Sequence, residues 1–157
     1  MLKKNMLKQD VGAILVMGAI AAVGYSLSPL LLPKAETTLP TPSGCDLQRN
    51  RCTAAMPDGG TLEFLISPRP IPMVAPLRIE VAVTGSAARK VEVDFAGVGM
   101  NMGLNRPLLE PAAPGRFVGT TTLPVCVTGS MAWRATVLVE TDGARIAIPF
   151  TFEVGQR

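Results

Sequence analysis

The sequence predicts an all-β domain, an immunoglobulin-like two-sheet sandwich, preceded by one N-terminal transmembrane helix. Three observations carry that expectation. Residues 11–32 contain no charge. After residue 60 the chain falls into short runs in which apolar and polar residues alternate. Turn-forming clusters separate these runs, and no helical period appears outside the N-terminal segment. A chain of 157 residues suffices for one domain of ordinary size with an appendage.

The appendage comes first. Residues 1–10, "MLKKNMLKQD", carry Lys3, Lys4 and Lys8 and read as a cytoplasmic basic tail. Residues 11–32, "VGAILVMGAIAAVGYSLSPLLL", read as a signal anchor, since a helix of that length reaches across about 30 Å of hydrocarbon. The competing cleaved signal peptide usually has a shorter apolar stretch and a small-x-small site. Either way the domain is expected outside the cytoplasm: single-pass in a bacterial inner membrane, with the C-terminal domain in the periplasm. Residues 33–44 hold the polar, proline-containing "KAETTLPTPSG" and read as a tether. The domain is expected over 45–157.

Within it, "TLEFLI" puts Leu62, Phe64 and Ile66 on one face. "LRIEVAV" does so with Leu77, Ile79, Val81 and Val83, and "RKVEVDFAG" with Val91, Val93 and Phe95. "RFVGTTTL" follows from Arg116. "WRATVLVE" aligns Trp133, Ala135, Val137 and Val139, and "RIAIPFTFEV" aligns Ile146, Ile148, Phe150, Phe152 and Val154. Sheets with one buried face require this alternation. "PDGG", "TGSAA", "PAAPG" and "TDGA" supply turns. "SPRPIPMVAP" is too rich in proline for a central strand and reads as an edge crossing.

Composition excludes several function classes. The formal charge of +3 divides into +2 from the first ten residues and +1 from residue 33 onward, where twelve basic residues face eleven acidic ones. No basic tract with interleaved aromatics offers a nucleic-acid surface. The chain has no histidine, so it lacks a Ser-His-Asp or Cys-His arrangement and histidine-ligated metal. Gly97, Gly99 and Gly103 sit in a β pattern with no helix to follow, which is no nucleotide fingerprint. The chain is expected not to be an enzyme and to have no small-molecule substrate.

Cysteine and methionine carry the remaining signal. Cys45 and Cys52 bracket "DLQRNR" and are compatible with a disulfide in an oxidising compartment, or with two incidental thiols. Cys126 is then the odd thiol. "VGMNMGLN" holds Met100 and Met102, which a regular strand continuing from Val91, Val93 and Phe95 would turn outward. A bulge at the glycines would instead turn them in. Met131 is in phase with Trp133. A thiolate with thioethers suits Cu(I), with Cys126 as anchor, Met100 and Met102 next, and Met131 or Met73 in reserve. The plainer alternative is that methionines fill gaps in the core.

"DFAGVGMNMGLNR" and "LPVCVTGSMAWRATVLVE", with the layout of anchor, tether and small all-β domain, carry a resemblance. The chain resembles small membrane-anchored bacterial accessory proteins associated with cytochrome oxidase and copper-delivery genes, and is distantly similar to FixH/YtkA-like proteins. The resemblance implies copper handling or respiratory oxidase assembly, with Met100, Met102, Cys126 and Met131 as the metal positions. It implies an oxidase subunit or a copper chaperone as partner, beside the membrane held through residues 11–32. The alternative expectation is a metal-free structural or assembly module docking to a membrane complex. Thiol–disulfide exchange through Cys126 is a third, without a Cys-x-x-Cys motif to support it.

Overall fold

The computed structural model describes residues 16–22, 36–124 and 129–155. The chain divides into two units, Met1–Lys34 and Ala35–Arg157. In the first unit, residues 16–22 are helical. Among the described residues no helix is long and apolar enough to cross a membrane. This corrects the expected transmembrane anchor over 11–32, and with it the membrane as partner and the single-pass inner-membrane location. Hydropathy records only a preference for an apolar medium, whereas spanning needs an unbroken helix of about 20 residues. Residues 1–15 and 23–35, the tail and the remainder of the expected anchor among them, lie outside the described residues.

The second unit contains nine described strands: β1 (Glu36–Thr38), β2 (Cys52–Ala55), β3 (Thr61–Ser67), β4 (Leu77–Thr84), β5 (Lys90–Gly97), β6 (Leu108–Ala113), β7 (Arg116–Thr121), β8 (Met131–Glu140) and β9 (Arg145–Val154). They form one sheet in the order β1-β9-β8-β5-β6-β7-β4-β3-β2. All neighbours are antiparallel except β1 and β9, which run parallel. Three residues of the expected tether thus form β1, with Glu36 opposite Arg145 and Thr38 opposite Ala147.

The two-sheet sandwich is corrected to a single curled half-barrel sheet. The strand responsible is β6. Its first residues pair with β5, Leu108 opposite Glu92 and Leu109 opposite Val91. Its later residues pair with β7, Glu110 opposite Val118 and Pro111 opposite Phe117. The register shifts between Pro111 and Ala113, the kind of irregularity that bends a strand. Alternation shows which face of a strand is buried. It does not show whether two groups of strands separate or are joined at a corner.

The concave face holds the core. The inward residues assigned in five of the predicted runs are buried there, from Leu62, Phe64 and Ile66 of β3 to Phe150, Phe152 and Val154 of β9. Phe64 and Phe150, near opposite ends of the strand order, meet with ring centroids 5.1 Å apart. Trp133 and Phe95 are buried in the same cluster. Cys45 and Cys52 form a disulfide with their Cα atoms 5.3 Å apart. The loop it closes is tied to the β3–β4 connection, because the Ile71 amide donates to Gln48 Oε1 at 2.6 Å and Arg69 donates to the Arg49 carbonyl at 3.0 Å.

Candidate functional site

One end of the sheet gathers the segments that sequence reading singled out. Register places Ser67 opposite Arg78, Leu77 opposite Thr121, Gly97 opposite Trp133 and Met131 opposite Val154. The connections 68–76 and 98–107, and the described ends of the segment between β7 and β8, therefore lie at the same end. Met73, Met100 and Met102 belong to the two connections, and Met131 begins β8.

The 98–107 connection is held at both sides. The Val98 amide donates to the Ala132 carbonyl at 2.8 Å, which carries the β5–β8 pairing one step past Gly97. Gly99 and Gly103 then take φ of 86° and 80°, which favour glycine. Asn101 Oδ1 accepts from the Gly103 amide at 2.9 Å, an Asx turn that reverses the chain. On the return, the Asn105 carbonyl accepts from the Phe95 amide at 2.8 Å and the Pro107 carbonyl from the Val93 amide at 3.2 Å. The Asn105 side chain donates to the Thr122 carbonyl at 3.0 Å and accepts from the Thr121 hydroxyl at 2.7 Å. Arg106 pairs with Asp94 at 3.2 Å, and that hydrogen bond holds the guanidinium above its ordinary pKa. The connection is a braced shelf against the ends of β5 and β7.

The methionines part company on this shelf. Met100 is exposed, at 49%. Met102 is half-buried and packs on the core, as does Met73. Met131 is buried at the start of β8. Met102 and Met131 meet over Gly97. A β-carbon built there would collide with Met131 Cε and lie 3.1 Å from Met102 Cγ and 2.7 Å from the Met100 carbonyl oxygen. The glycine therefore makes room for two thioether side chains stacked over the strand end. Cys126, the expected anchor of the sulfur set, lies outside the described residues.

Among the described residues no group of three or more His, Cys, Asp or Glu side chains is placed to hold a metal ion. This corrects the copper and metal-binding description for ligand groups of that kind; the sulfur set Met100, Met102, Cys126 and Met131 is of another kind, and Cys126 lies outside the described residues. The physical reason lies in where the anionic ligands go. Cys45 and Cys52 are joined to each other, and Asp94, Glu92, Glu36 and Glu80 pair with arginines.

Sequence reading missed the apolar residues that accompany Met100. Val98, Leu104 and Leu108 are exposed, Leu104 at 84%. The signal was available: "GLNRPLL" breaks the period-two alternation, so nothing in the pattern assigned its leucines to a buried face.

These features define a class, an all-β domain built on one curled sheet, with a braced apolar loop at one end. Comparison with known proteins takes the assignment no further. No family model and no curated protein matches the chain. Among solved structures, a crystal structure of an engineered protein is similar at 18% identity and a TM-score of 0.45, over 66% of this chain and 21% of that one. The chain thus spans about a fifth of that protein's length.

Proposed function

We propose that this chain is a structural or assembly module that docks a partner protein through the apolar loop at the end of its sheet. The observation that carries the reading is the run Val98, Met100, Leu104 and Leu108, four large apolar side chains exposed on one short segment. Clustered apolar exposure of this kind, rimmed by polar groups such as Asn101, Asn105 and Arg106, marks contact surfaces more often than scattered single residues do. Methionine suits such a surface because its unbranched thioether adapts to the opposing side chains. The hydrogen bonds of Asn101 and Asn105 hold the shelf before contact, so little ordering entropy is lost on docking. The work is done by contact, and it needs no catalytic group.

The test is site-specific photocrosslinking in cells that express the chain natively. A photoreactive residue at Leu104 is compared with one at Arg89, exposed at the opposite end of the sheet. One discrete adduct is expected at 104 and none at 89, and Met100→Glu should remove it. Equal adducts at both positions, or none at 104, would remove the proposal.

A further inference from the structure

We infer that the free edge of β2 is a strand-addition site, which takes one extended peptide segment of a partner protein. The inference is independent of the loop-end surface and starts from the backbone of β2. The Met56 amide donates to the Gly60 carbonyl at 2.8 Å, closing the β2–β3 hairpin. Opposed residues in an antiparallel ladder alternate between hydrogen-bonded and non-bonded pairs. The register then makes Ala54/Leu62 and Cys52/Phe64 the bonded pairs. The amides and carbonyls of Thr53 and Ala55 point the other way, toward the free edge of the sheet.

That edge does not open onto bare solvent. It faces a groove of about 450 Å³ whose far wall is the segment 39–43 that leaves β1. The segment runs beside β2 without pairing to it. Among the described residues its one backbone hydrogen bond goes from the Leu39 amide to the Ala147 carbonyl of β9. Pro40 and Pro42 have no amide hydrogen and cannot supply a ladder. Among the described residues, Thr53 and Ala55 thus present two donors and two acceptors to a groove in which no backbone group bonds them.

These backbone groups specify the occupant. Thr53 and Ala55 are two residues apart, the spacing at which residues j and j+2 of an extended chain return their own amides and carbonyls. The lining is small: Ser43, Thr53, Ala54 and Ala55 let another backbone come close. The groove is lined by one strand and one connecting segment, a trough whose match is a single extended segment of a partner. β2 is also fixed before binding, by the disulfide at Cys52 and the burial of Ala54. Recognition through main-chain groups makes the peptide's sequence nearly free, apart from short side chains toward the groove.

The probe is a displayed library of random linear heptapeptides panned on the full chain. Peptides are expected that bind the parent and lose at least tenfold in affinity on Thr53→Pro and Ala55→Pro. Proline is tolerated on an edge strand where its missing amide faces outward, so both variants should keep the near-ultraviolet circular dichroism of the parent. Amide exchange supplies a second readout that needs no substitution. In the free chain the Thr53 and Ala55 amides should exchange at least tenfold faster than that of Ala54, and a bound peptide should slow those two alone. The inference is overturned if no peptide is recovered, or if the peptides bind both proline variants as well as the parent. It is also overturned if the Thr53 and Ala55 amides are already as protected as that of Ala54.

Discussion

Gly97→Ala probes the packing that separates Met100 from Met102. The added methyl meets Met131 Cε, the Met100 carbonyl at 2.7 Å and Met102 Cγ at 3.1 Å. Met131 Cε is the far end of a flexible side chain and can move, but the carbonyl belongs to the backbone of the shelf. Forcing a methyl into a packed site costs about 1–3 kcal/mol. Replacing a strand glycine by alanine returns roughly 0.5–1 kcal/mol of backbone entropy. The net expectation is a loss of about 1–2 kcal/mol, or roughly 3–8 °C in Tm for a unit of this size. Trp133 reports it directly, being the single tryptophan, buried and opposite Gly97 in the sheet. Urea unfolding followed by its fluorescence should show a lower midpoint with an unchanged slope. Combining Gly97→Ala with Met131→Ala should return part of the loss as a coupling of about 1 kcal/mol, the remainder belonging to the carbonyl. A Gly97→Ala protein as stable as the parent would refute the stacking of Met102 and Met131 over this strand end.

Three further outcomes follow from other parts of the molecule. Reducing the Cys45–Cys52 bridge opens an eight-residue loop and should cost about 2.5 kcal/mol on chain-entropy grounds, read as a lower Tm in the presence of reductant. Arg145 pairs with Glu36 at 3.6 Å and Glu92 at 3.1 Å, so it clasps β1 to the sheet. Arg145→Gln should lower global stability by no more than about 1 kcal/mol yet speed exchange of the Leu39 amide, and 1 M salt should produce part of the same effect. Val74 holds φ of 60°, a left-handed conformation that a β-branched residue tolerates poorly, and its side chain is exposed. Val74→Gly should therefore raise stability by up to about 1 kcal/mol, and a loss would show that the valine side chain holds its loop in place.

The strands were legible where they were amphipathic. β3, β4, β5, β8 and β9 each alternate over seven residues or more, and the faces the pattern assigns inward are buried; Leu138 of β8 and Ala147 of β9 are buried on the other face as well. β1, β2 and β6 were not anticipated. Glu36–Thr38 is wholly exposed, so no alternation marks it, and it is a strand only because β9 offers an edge. β6 buries Leu109 alone and carries Pro111, which reads as a turn. At the site, the methionines and Asn105 were visible as residues, but not that Met100 faces out while Met102 turns in. Two glycines with positive φ decide that, and their effect depends on the brace from Thr121 and Thr122.

The sequence by itself determined which residues lie inside, through a periodicity that any one-sided sheet must obey. It also determined that no arrangement built on a histidine side chain is available to this chain. Only the tertiary structure decided that the strands form one curled sheet. Joining or separating two groups of strands depends on the hydrogen bonds of β6, which belong to the backbone and leave little trace in side-chain pattern. For the same reason the unpaired groups of Thr53 and Ala55 appear in no motif. A free sheet edge is defined by the partner it lacks, and only the folded arrangement of its neighbours shows that.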